Sequence, residues 1–347
     1  FVPTTAAAIP PYIRMIQFHT PGSGNQFYMR FKLFLDKDKH PILAFGNAHS
    51  TVFFWDLARI TAFHEFMTEL KKPNRATALH RPSWLQPVQN RNYSTMSVYV
   101  ITGASKGIGF GFVKSISEDP ANLVVGLVRD KAATEKKVAE ELGGRTNIHI
   151  LHGDLTSYES LKQAAADTAK IVGERGVDYL VANGAYPSQF DAYVPIGALG
   201  DQVEELEEVS AKLFKTNVVG NIHLFNLFIP LVKQSKAKKV IAISSGHGDL
   251  DWINNNDIEI SSLYGASKAA LNVVVAKFSV QYKPEGVLFF SLSPGAVEVG
   301  HYDNVSPEQV QGLMGFMGKI QAYAPHFKGA VPVEDAVRTI RATWERA

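Results

Sequence analysis

The stretch Ser97 to Gly109, SVYVITGASKGIG, constrains this chain more than any other. An uncharged run rich in β-branched and aromatic residues enters a turn with three glycines, and helical periodicity follows from about Gly107. Such a run suits a strand covered on both faces, which in turn needs helices on both sides of a parallel sheet. Gly103 permits the tight turn. Gly107 lets the backbone approach a ligand, and Gly109 lets the helix pack close to the strand. Ser105, Lys106 and Ile108 complete the loop. The helix start adds free N–H groups and the positive end of its dipole, so the loop fits a dinucleotide pyrophosphate. A plain glycine turn is the competing reading, and the strand–turn–helix context favours the binding loop.

The alternation continues downstream. NLVVGLVR reads as the second strand, followed by a helix capped by Asp130 and ended by Gly143-Gly144. NIHILHGD is the third strand, and Thr156-Ser157-Tyr158-Glu159 reads as a capping box. VDYLVANG is the fourth strand, before one long helix predicted from about Val203 to Lys233. KVIAISS and GVLFFSLS are the fifth and sixth, separated by a helix over about Ser262 to Tyr282. Ser306-Pro307 opens another helix, and VEDAVRTIRATWE is the last. The predicted fold is α/β, a Rossmann-like doubly wound parallel sheet with a short β-rich N-terminal extension.

The end of the second strand reports cofactor choice, because an acid there binds a ribose 2′-OH. Val128 holds that place, followed by Arg129, and Lys106 lies in the glycine turn. Two cations suit a 2′-phosphate, so NADP(H) is predicted over NAD(H). Asp130, one step on, is the residue that would favour NAD(H) instead.

Tyr264 and Lys268 stand four apart, on one face of a helix. A free phenol, with a pKa near ~10, is a poor base at neutral pH, and a nearby ammonium is expected to lower it. Such a tyrosine moves a proton to or from a carbonyl oxygen while a cofactor moves hydride. Ser245, at the end of the fifth strand, is placed to bond the same oxygen.

With these residues in this order, residues 96–347 resemble the classical short-chain dehydrogenase/reductase family. The resemblance puts the glycine motif on Gly103, Gly107 and Gly109, and the adenine-contacting acid on Asp154, beside Leu155. Of the cofactor-side Asn-Asn-Ala-Gly stretch only Asn183 is in place. The catalytic tetrad falls on Asn217, Ser245, Tyr264 and Lys268. In the family the asparagine positions a water that links the lysine to solvent, and the lysine also holds the nicotinamide ribose. Pro294-Gly295 matches the motif after the sixth strand; Val299 stands where a threonine is usual, leaving backbone near Val297 to meet the carboxamide. The implied activity is hydride transfer between NADP(H) and a small carbonyl or alcohol substrate, with homo-oligomerisation common.

There are departures. HGDLDWINNNDIEIS separates Ser245 from Tyr264 further than is usual and is expected to shape the substrate mouth, together with HYDNVSPEQVQGLMGFMGKI. His247 is a candidate lining residue. Asp249, Asp251 and Asp257 are read as turn formers rather than metal ligands. FNLFIPLV reads as core. A seventh strand is missing, which leaves a sheet edge unpaired.

Residues 1–95 differ, with eleven basic and five acidic residues in a chain of net charge +2. Over residues 1–70, two apolar runs around a DKDK turn, then Gly46-Asn47 and Trp55-Asp56, resemble one WD-repeat blade of an extra-sex-combs type protein. One blade cannot close a propeller. Residues 71–95, with three prolines, read as a linker. Phe1 in place of Met reads as a fragment or processed product, and Met96, a natural start just before the first reductase strand, favours a joined gene product over a working two-domain protein. The chain has no cysteine, which excludes disulfides and thiolate sites and fits a reducing, cytoplasmic setting. No membrane or nucleic-acid partner is expected. The rival functions are a catalytically silent cofactor sensor of the same fold and a chromatin-type scaffold acting through the WD-like segment.

Overall fold

The structure is a computed structural model that describes residues 31–36, 39–46, 52–56, 96–300 and 305–346. The predicted linker 71–95 and the segment 301–304 of the predicted mouth lie outside the described residues. The chain divides into two units at residues 85 and 86.

The first unit contains β1 (Phe31–Asp36), β2 (Lys39–Gly46) and β3 (Val52–Asp56). They pair antiparallel in the order β1-β2-β3, with Leu33 opposite Leu43 and Leu43 opposite Trp55. The short strands around DKDK are as the sequence predicts. The WD-repeat reading gains no support beyond that, since a propeller blade has four strands and three are described.

In the second unit β4 (Val98–Thr102), β5 (Leu123–Val128), β6 (Ile148–His152), β7 (Tyr179–Ala182), β8 (Lys239–Ile243) and β9 (Leu288–Leu292) form one sheet. Its order is β6-β5-β4-β7-β8-β9, all parallel. The order reverses between β4 and β5 on one side and β7 on the other, so a crevice opens at the carboxyl end of β4. Among the described strands β6 and β9 are the edges of this sheet.

Helices cover both faces: α1 (Gly107–Ile116), α2 (Lys131–Leu142), α3 (Tyr158–Val172), α4 (Val203–Phe214), α5 (Gly220–Gln234), α6 (Leu250–Asn255), α7 (Ser262–Tyr282), α8 (Pro307–Tyr323) and α9 (Val333–Arg346). Successive residues of β4 serve opposite cores. Val98 and Val100 join Leu224, Phe225 and Phe228 of α5, so FNLFIPLV is core as predicted. Tyr99 and Ile101 join Phe112 of α1 and Trp344 of α9. A strand buried on both faces has no solvent face to carry polar residues, hence its unbroken apolar text.

Three local expectations are corrected. The long helix from Val203 is interrupted by a π-turn at Lys215–Val219, which divides it into α4 and α5. The helix after β6 is capped by Ser157, whose Oγ accepts the Ser160 N–H at 3.3 Å, not by Thr156. Thr156 instead donates its N–H and hydroxyl to Asp154 Oδ1, at 2.8 and 2.9 Å, and that bond holds it outside the helix. Within the insertion, the Asp249 carboxylate accepts the Trp252 N–H at 2.9 Å and so caps the short helix α6, where turns alone were predicted.

Trp344 anchors α9. It is fully buried, 4.9 Å from the Phe112 ring and 6.4 Å from Tyr179. Trp344→Ala should therefore cost about 3–5 kcal/mol, read as a lowered urea midpoint. An unchanged midpoint would mean that α9 does not seal this face.

Candidate active site

The glycine loop is held by backbone contact. Gly103 has φ +68°, and a Cβ on Gly109 would lie 2.1 Å from the Gly103 carbonyl oxygen, so α1 reaches β4 only without a side chain there. Asn183 Nδ2 donates to the carbonyls of Thr102 and Gly103, at 3.1 and 3.4 Å, and the Gly184 N–H donates to Thr102 Oγ1 at 2.9 Å. Asn183 thus ties the end of β7 to the loop. Lys106 is the N-cap of α1 and makes no side-chain cap bond, so the first-turn N–H groups face the loop uncapped by it. A glycine cradle at a helix N-terminus fits a dinucleotide pyrophosphate.

The sequence also expects residues beyond this loop to meet the cofactor. Arg129 and Lys106 are exposed, whereas the Asp130 carboxylate accepts the Ala133 N–H at 2.9 Å as the cap of α2. Lys137, which sequence reading missed, donates Nζ to the Ser105 carbonyl at 3.3 Å and lies 4.0 Å over the Phe110 ring. Only folding shows this, because α2 brings it back to the loop across 32 residues of sequence. Leu155 packs against Gly184 and Gly220. Gly295 has φ +76°, following Pro294. Val297 makes a parallel bridge with Val331 whose bonds run through Ala296 O and Glu298 N, each 2.9 Å. The Val299 side chain lies over Gly107.

Ser245, Tyr264 and Lys268 meet at the end of β8. Ser245 is hydrogen-bonded to the Tyr264 hydroxyl, and its Oγ accepts the His247 N–H at 3.3 Å. Lys268 is buried, donates Nζ to the Ile243 carbonyl at 2.8 Å, and stands 5.6 Å from the Tyr264 ring centre. Burial pushes Lys268 down to about 8. It pushes Tyr264 up to about 12, against the lowering effect of Ser245. The expected depression of the phenol by the ammonium is therefore corrected: loss of water around the hydroxyl sets its direction, and the opposing influence is Ser245.

Asn217 sits in the π-turn, fully buried. Its Oδ1 accepts the Tyr186 N–H at 2.8 Å, and Nδ2 donates to Tyr186 O and Ser267 Oγ, both at 3.0 Å. It therefore braces α7 against the segment after β7. The sequence gives no warning of Asp191. Its buried carboxylate Oδ2 accepts the N–H groups of Leu263 and Tyr264, at 2.8 and 3.0 Å, and its carbonyl accepts Ser261 N–H at 2.8 Å. Asp191 caps the helix that carries Tyr264 and Lys268 from 72 residues away, so no local spacing reveals it.

The family described as short chain dehydrogenase matches residues 97–310. The chain is 52% identical over 253 residues to short chain dehydrogenase virK of Hypocrea virens, covering 73% of this chain and 93% of that one. It is 39% identical over 246 residues to the short-chain dehydrogenase/reductase AacuF of Aspergillus aculeatus, covering 70% and 90%. Among solved structures, the carbonyl reductase Sniffer of D. melanogaster has a similar fold, with a TM-score of 0.56 at 23% identity, covering 73% of this chain and 92% of that one. The NADPH-bound carbonyl reductase from chicken fatty liver also scores 0.56, at 22% identity, with 73% and 92% covered.

Lys268 makes stability depend on pH. Below about 8 the folded protein holds a buried ammonium that the unfolded chain would solvate. As pH rises from about 8 towards the ordinary 10.5, the unfolded chain binds more protons than the folded one, so stability rises. Lys268→Met should melt higher than the parent at pH 7, and the gap should close between these pH values. Parallel melting curves across that range would show that burial does not govern the lysine.

Proposed function

Because the chain belongs to the short chain dehydrogenase family, we propose that it is an NADP(H)-dependent oxidoreductase interconverting a carbonyl and an alcohol. The observation that carries this reading is the Tyr264 hydroxyl bonded to Ser245 with the Lys268 ammonium buried beneath it. When bound, the nicotinamide supplies or accepts the hydride.

The residues of the chain manage the proton and the geometry. Ser245 orients the substrate oxygen. Tyr264 delivers the proton, and a phenol raised to about 12 stays protonated at neutral pH, which suits reduction. Once the proton leaves, Lys268 faces the resulting phenolate and stabilises it. Asn217 and Asp191 act through α7: they fix the turn from which Tyr264 and Lys268 project. Gly103, Ser105, Gly107, Ile108 and Gly109 would cradle the pyrophosphate, Asp154 and Leu155 would flank the adenine, and Asn183 holds the loop for them. Pro294, Gly295 and Val297 would border the nicotinamide.

The preference for NADP(H) rests on Lys106 and Arg129, with Asp130 already engaged as a helix cap. The resemblance to reductases also favours a small carbonyl or alcohol as substrate and a homo-oligomer as the working form. We assign the activity to residues 96–347, which hold every residue of the site.

Titration with NADPH and NADH, followed by nucleotide fluorescence, should show tighter NADPH binding. Lys106→Ala and Arg129→Ala should each weaken NADPH by about tenfold and leave NADH nearly unchanged. Tighter NADH binding would reverse the cofactor assignment. Tyr264→Phe should lower kcat for ketone reduction by about 10²–10⁴ while the NADPH Kd holds; an unaffected turnover would remove Tyr264 from the chemistry.

A further inference from the structure

Three rings gather beside Ser245. His247 lies two residues on, and its own N–H bonds the Ser245 hydroxyl. Trp252 comes from α6, and its ring passes 3.6 Å from where a Cβ would stand on Gly246. Phe316 comes from α8. His247 and Phe316 are stacked at 5.4 Å with planes 27° apart. Trp252 stands edge-on to both, at 5.5 Å and 85° from His247 and at 6.4 Å and 78° from Phe316. The result is a corner with one wall perpendicular to the other. All three residues are partly exposed, so the corner is not sealed inside a core.

The corner is fixed from outside. Lys319 of α8 pairs with the Glu259 carboxylate and donates to the Asp257 carbonyl at 2.6 Å, which ties α8 to the insertion. At the other end of α8 a Cβ on Gly312 would stand 1.8 Å from the Tyr193 carbonyl, so the helix lies directly on that backbone. Charge narrows the occupant. Residues 246–260 hold Asp249, Asp251, Asp257 and Glu259 and no lysine or arginine; even with Lys319 offsetting Glu259, the balance is acidic, which disfavours substrates carrying phosphates or carboxylates.

We propose that His247, Trp252 and Phe316 form the specificity wall of the site, and that the substrate is an uncharged ketone borne on a planar aromatic ring. The proposal rests on the reductase reading for its chemistry, not for its binding. A planar ring gains an offset stack on one wall and an edge-to-face contact on the other, a gain that a saturated ring of the same size lacks.

Calorimetric titration of the NADP⁺-saturated protein with 2-acetylnaphthalene and with its decalin counterpart tests this without turnover. The aromatic ketone should bind about tenfold more tightly. Trp252→Leu and Phe316→Leu keep an apolar side chain but remove a ring, and each should reduce that preference, with NADP⁺ affinity as the check on folding. Equal affinities in the parent protein, or a preference untouched in both variants, would overturn the wall. Should NADP⁺ itself fail to bind, the same pair titrated on the bare protein decides. With NADPH in place of NADP⁺, an aromatic preference without reduction sinks the reductase reading and leaves the wall standing. Reduction of both ketones with equal affinity does the reverse.

Discussion

The site depends on how closely α1 can approach the sheet. The missing Cβ of Gly109 lets the helix come onto the Gly103 carbonyl, and Asn183 then locks the same turn to β7. That one junction sets three things together: the direction of α1, the crevice between β4 and β7, and the free N–H groups that face it. A methyl group at Gly109 would push α1 outward and open the crevice. The Phe112 contact with Trp344, and through it the seat of α9, follows from the same placement.

A second constraint governs the chemistry. Lys268 is a cation inside the fold, donating Nζ to the Ile243 carbonyl. Its burial costs stability at neutral pH, a cost that the proposed role beside Tyr264 would account for. The helix carrying it is therefore held by more than packing. Asp191 caps its first turn, Asn217 bonds Ser267 one residue from the lysine, and Ser244 Oγ donates to Asn272 Oδ1 at 2.7 Å from the strand below. Those bonds hold the first turns of α7, and Tyr264 with them, against the end of β8, the preorganisation that the proposed proton transfer calls for.

The insertion after Ser245 gives this site its own character. A tyrosine and serine brought together by α7 and β8 would suit many carbonyls. His247, Trp252 and Phe316, from three separate elements, add the ring face proposed to discriminate between them.

Much of this was legible in the amino-acid order. Strands buried on both faces must be written as unbroken apolar runs, and glycine is the only residue that fits at Gly103 and Gly109, so β4 and its turn announce themselves. Tyr264 and Lys268 are readable because a helix makes positions four apart neighbours. The tertiary structure alone decided what acts across distance in sequence. Asp191 caps α7 from a loop that looks like any other, Lys137 returns to the Ser105 carbonyl, and Asn217 lies in a π-turn within what reads as one helix. It also decided the sign of the Tyr264 shift. Spacing places an ammonium nearby, but the loss of water around the hydroxyl depends on everything packed over it, and that is fixed only when the chain has folded.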